Sequence, residues 1–167
     1  MTRLRPSTVS SIALCCFAVA SACDGEQSRQ PFDTDRYMNA WLNLWNTYDL
    51  ALVDELFLTD SSVTYFSSER EGLITGIDAV RAHHEGFGFV LGGRPAEQDL
   101  WVEDVHTTTF WPTAVVTGVW LFGNRSGAPD EAQRGPFTFV YVLRGDSYRL
   151  AHLNFGTYLD TTDGQEG

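Results

Sequence analysis

Four histidines supply the side chains best matched to proton transfer near neutral pH, so their spacing is the first test for chemistry. His83 and His84 are adjacent in a stretch of helical spacing, about 100° apart around the axis, and do not share a face. No CxxC or HExxH pattern accompanies them, so no metal is expected. His84 continues the apolar stripe Ile77, Val80, Phe87 and is expected at a pocket or core margin. His106 sits in the strand-like "WVEDVHTTTF", and His152 shares parity with Tyr148, Leu150 and Asn154. Glu69 and Glu71 flank Arg70, and Glu103 and Asp104 fall on opposite faces of a strand, which reads as solvated surface rather than an acid–base pair. Ser61-Ser62 and Ser67-Ser68 lack the glycine spacing of a nucleophile elbow, and no Ser, His and Asp set assembles from chain order. No catalytic residue is assigned, and no cofactor is expected. Arg144-Gly145-Asp146 is what a tight hairpin turn requires.

Charge narrows the classes further. The chain has 167 residues and a net charge of -11, and all 11 basic residues are Arg. Without Lys there is no Schiff-base chemistry, and without clustered positive charge there is no nucleic-acid surface. At this length and 43% hydrophobic residues, one domain with a real core is expected.

The N-terminus reads as an export signal. "MTRLRP" carries two Arg, "VSSIALCCFAVA" is an apolar run too short to span a membrane, and small residues precede Cys23. Residues 1–22 read as a bacterial signal peptide, 23–33 as a tether, 34–160 as the domain and 161–167 as a disordered tail. "Ala20-Ser21-Ala22-Cys23" resembles a lipobox, with Cys23 lipidated and the only membrane attachment; the alternative is cleavage after Ala22 and free secretion. Removal of Cys15 and Cys16 would leave Cys23 the sole thiol and no disulfide.

The domain must then position whatever chemistry exists. Tyr37, Trp41, Leu44, Trp45 and Tyr48 form one helical stripe after an N-cap at Asp33 or Thr34, and Asp49 opens a short second helix in "DLALVDELF". "SSVTYF" is strand-like, and "IDAVRAHHEGFGF" returns to helical spacing. Four β-rich runs follow, "QDLWVEDVHTTTF", "TAVVTGVWLFG", "GPFTFVYVLRG" and "SYRLAHLNFG". Helices followed by strands predict an α+β fold.

In order and spacing, "AWLNLWNTYDLALVDELFLTDSSVTYF", "GLITGIDAVRAHH" and "GPFTFVYVLRGDSYRLAHLNFG" resemble the nuclear transport factor 2-like superfamily, in particular its SnoaL-like branch. The resemblance covers residues 34–158 and implies a cone: three N-terminal helices packed on a curved antiparallel sheet, with a pocket at the open end. Members include ketosteroid isomerase, polyketide cyclases and kinase association domains, so fold alone does not give function. The isomerase's carboxylate base falls at Tyr65, its helix-one tyrosine at Trp41 and its protonated aspartate at Thr138. All three depart from the pattern, which argues against isomerase chemistry. The expectation is an exported domain binding a small hydrophobic or aromatic molecule among Trp41, Trp45, Tyr65, His84, Trp120, Thr138 and Phe155. The alternatives are a SnoaL-like cyclase, isomerase or hydrolase, and a dimeric interaction module without ligand. The hairpin around Gly145-Asp146 is apolar on both faces. Placing Thr138 inward, as the resemblance implies, turns Phe137, Phe139, Tyr141, Tyr148 and His152 outward as a homodimer interface.

Overall fold

Asp33 starts the first helix, its side chain accepting from the Arg36 amide at 3.1 Å, and α1 runs Thr34–Thr47. In this computed structural model, which describes residues 30–126 and 132–158, α1 buries Tyr37, Met38, Trp41 and Leu44 at the spacing of one helical face. Asp49 Oδ1 accepts from Ala51 N at 3.1 Å, opening α2 (Ala51–Leu56), and from Gly92 N at 3.0 Å, which ties down a distant loop. The third helix, α3, spans Ile77–Gly86 and carries Asp78 in its first turn, where the charge favours the exposed amides.

The strands are β1 (Thr64–Phe66), β2 (Leu73–Thr75), β3 (Asp99–Phe110), β4 (Thr113–Gly123), β5 (Gln133–Arg144) and β6 (Ser147–Phe155). They form one sheet in the order β2-β1-β6-β5-β4-β3. Every neighbouring pair is antiparallel except β1 and β6, which run parallel, so the sheet is mixed. The expected α+β arrangement holds, with three helices ahead of the long meander. A bulge in β3 between Glu103 and His106, with Asp104 at φ 52°, interrupts the ladder and bends the strand.

The hairpin corrects the sequence reading. Near the turn the pairing is as expected, Leu143 opposite Tyr148 and Tyr141 opposite Leu150. Then Ala151 is left over: Val140 faces His152, and Phe137 faces Phe155 rather than Asn154. One extra residue in β6 moves all that follows to the other face. Phe137, Phe139, Tyr141 and Tyr148 are at most 3% exposed within the single chain, so they form the core and cannot be an interface. Gly118 makes room for this arrangement, since a Cβ there would lie 2.8 Å from the Phe137 ring. Thr138, Val140, Val142 and His152 take the outer face instead, and Thr138 pairs with Thr117 and Asn154.

Phe32, within the stretch read as tether, packs against Tyr37, Tyr141 and Tyr148 with ring centres 4.9–5.0 Å apart. The domain therefore begins before residue 34. Cys23, the apolar leader and the 161–167 tail lie outside the described residues.

Candidate functional site: an aromatic cavity at the end of the sheet

The second half of α1 crosses the inner face of the sheet beside the β4–β5 connection, leaving a cavity of about 260 Å³. Trp41, Trp45 and Tyr48 line it from α1, Tyr65 from β1, and Trp120, Phe122 and Phe155 from β4 and β6. Phe87 and Leu100 complete the apolar wall. Ser67, Ser68, Glu69 and Gln133 are its polar members, and Glu69 and Gln133 are exposed, marking the mouth.

Five of the seven expected ligand residues, Trp41, Trp45, Tyr65, Trp120 and Phe155, line this cavity. The other two do not. Thr138 alternates with the buried Phe137 and Phe139 along β5 and so projects from the opposite face of the sheet. His84 is fully buried behind the wall, with its ring 5.6 Å from Trp45 and 5.0 Å from Phe89. Trp101 is on the outer face, where Nε1 donates to Glu103 at 3.4 Å, and His106 is exposed. Ser67, Ser68, Glu69, Phe122 and Gln133 were not expected, because polar loop residues and strand ends carry no periodic signal.

The electrostatics of the wall are set by burial. Tyr65 is pushed up from the ordinary phenol range by burial and by the Glu69 charge, with a hydrogen bond from Ser67 opposing weakly. His84 is pushed down to about 4, chiefly by burial, and stays neutral. Its Nδ1 lies 2.8 Å from the Val80 carbonyl, so Nδ1 carries the proton and the lone pair of Nε2 has no partner among the described residues. His83 is also lowered by burial and by Arg70, and its ring stands edge-on to Tyr65 at 5.1 Å.

The indole N–H groups of the wall are out of reach. Trp120 Nε1 donates to the Gly156 carbonyl at 2.8 Å. Trp41 and Trp45 Nε1 are buried without an acceptor among the described residues, enclosed rather than presented to the cavity. What the cavity offers a guest is ring surface, with oxygen-bearing groups at the mouth. No cluster of His, Cys, Asp and Glu suited to a metal occurs among the described residues.

No protein-family model matches the chain, and no curated protein matches it. Solved structures do. A nuclear transport factor 2-like superfamily protein from Salmonella enterica superposes with a TM-score of 0.60 at 16% identity, covering 79% of this chain and 93% of that one. A nuclear transport factor 2-like protein of unknown function from Pseudomonas putida gives 0.64 at 12% identity, with 80% and 90% covered. The association domain of C. elegans CaMKII gives 0.58 at 21% identity, with 75% and 93% covered. These likenesses establish the fold, a nuclear transport factor 2-like cone.

Proposed function

Taking that cone as the premise, we propose that the chain binds a small, largely apolar molecule in the aromatic cavity and does so without turning it over. The observation that carries this reading is the cavity itself, about 260 Å³ among eight aromatic rings, two from α1, one each from β1 and β6, two from β4, and Tyr48 and Phe87 from the C-caps of α1 and α3. That is slightly below the range of about 300–1,000 Å³ usual for drug-sized ligands, so a compact guest fits. Binding is favoured over catalysis because Tyr65 holds its proton more firmly than a free phenol, so the phenolate needed to act as a base is scarcer still, and His84 is walled off. Titration of the wall tryptophan fluorescence with naphthalene should give saturable quenching, weakened about tenfold in Trp45→Ala. A response that never saturates would overturn the reading.

Export and lipidation at Cys23 belong to the same proposal. Gln30 lies at the turn end of the β5–β6 hairpin, where its carbonyl accepts from Tyr148 Oη at 3.4 Å, whereas the cavity mouth is beside the β4–β5 connection. At about 3.3 Å per residue, the length of β4 separates the two ends by about 30 Å. An N-terminal anchor would thus leave the mouth clear. Cys23→Ala protein that still partitions with membranes would refute the anchor.

We further propose a homodimer through the outer sheet face. Val115, Thr117 and Val119 lie beside Thr138, Val140 and Val142 there, all six half-buried and β-branched. Val140→Asp should convert a sedimenting dimer to a folded monomer. A parent protein that is already monomeric at micromolar concentration would dispose of the idea.

A further inference from the structure

We infer that the ligand of the cavity is an organic cation, an ammonium group carried on a small apolar body. This rests on the binding reading above and gives it a chemical class.

The wall first disfavours anions. A carboxylate, phosphate or sulfonate is held best by a positive charge or by converging donors in the site. Among the described residues no Arg or His side chain lines the cavity, and the chain contains no Lys. The three indole N–H groups are taken or shut away, Trp120's by Gly156 and those of Trp41 and Trp45 by enclosure, which leaves the uncharged side chains of Ser67, Ser68 and Gln133 as donors. Among the described residues the one charged side chain on the lining is that of exposed Glu69, at the mouth.

The choice between a neutral guest and a cation then follows from the rings. An aromatic face carries negative quadrupolar charge and attracts an ammonium group, most strongly where water is excluded. Trp41, Trp45, Tyr65, Trp120 and Phe155 are inclined to one another at 24–73° between neighbouring planes and come from four different elements. They surround a guest on several sides rather than offering one flat slot. Tyr48 is set apart, because the Arg94 guanidinium already lies 4.1 Å from its ring centre and is tied to the Gly88 carbonyl at 2.9 Å. That contact shows a cation held by a ring of this end of the molecule, outside the cavity. Arg70, next to Glu69, is exposed and is not on the lining. The net charge of -11 adds a long-range attraction for positive ligands at low salt.

The test uses three probes of matched shape on the full chain: phenyltrimethylammonium, its neutral analogue tert-butylbenzene, and benzenesulfonate. Calorimetric titration should show the cation binding about tenfold more tightly than the neutral analogue, with no binding of the sulfonate. Glu69→Gln should weaken the cation about threefold, leave tert-butylbenzene unchanged, and remove most of the salt dependence of cation binding. If tert-butylbenzene binds as well as the cation, or the sulfonate binds best, the cation inference is overturned while the cavity remains a binding site. If none of the three binds, the binding reading itself fails.

Discussion

The two ends of the cone are built from the same kind of side chain and use it oppositely. At the hairpin-turn end, Phe32, Tyr37, Tyr141 and Tyr148 close on one another with ring centres 4.9–5.7 Å apart, and Tyr37 Oη accepts the Tyr148 amide at 3.0 Å. At the other end Trp41, Trp45, Tyr65, Trp120 and Phe155 stand around space. Phe32 makes much of the difference. It enters ahead of α1 and plugs one end, whereas the mouth at the other end carries, among the described residues, Ser67, Ser68, Glu69 and Gln133. Aromatic content by itself therefore does not distinguish a plug from a pocket; the presence of a covering segment does.

The strongest way to break the contrast is to hollow out the closed end. Tyr141 is 1% exposed, and Tyr141→Ala should cost about 3–5 kcal/mol of unfolding free energy by denaturant titration. A loss near zero would mean that the closed end is not packed as described. Next in size is the pH response of His84, behind the wall of the open end. Its folded pKa of about 4 lies below the ordinary value of 6.5, so the unfolded chain binds more protons between those limits. Stability should therefore fall by roughly 3 kcal/mol as pH drops from 6.5 to 4, and His84→Leu should flatten that slope. An unchanged slope in the variant would assign the effect to other groups. The smallest effect sharpens the comparison: the Tyr141 hydroxyl is buried with no partner among the described residues, so Tyr141→Phe should raise stability by about 1 kcal/mol. Loss of stability in that variant would point to a bonded hydroxyl.

Much of the fold was legible because it is written in local periodicity. The α1 stripe, the Asp33 cap, the α3 face with Val80 and His84 inward, and the Leu143–Tyr148 pairing beside the turn all follow from residues close in the chain. The parallel pairing of β1 with β6 joins residues 64–66 to 152–154, a separation over which no periodic pattern speaks. Five of the seven residues expected around a ligand line the cavity because large rings at inward positions of a cone converge at its end. The faces of the hairpin were not, since alternation counts residues and a single bulge at Ala151 breaks the count. Ring size alone argued the right way: burying Phe137, Phe139 and Tyr141 removes far more apolar surface from water than burying Thr138, Val140 and Val142. The borrowed placement of Thr138 overrode that argument and reversed the faces.

By itself, then, the sequence determined the α+β order, the helical faces, the acidic and lysine-free composition and the aromatic supply, all of which depend on residue identity and near neighbours. Only the tertiary structure decided which rings plug one end and which frame a cavity, which hairpin face meets the core, and that Glu69 is the one charged residue on the lining among the described residues. Those outcomes depend on one unpaired residue in β6 and on where Phe32 and the 67–69 loop come to rest, and a contact between distant segments leaves no mark in the order of either.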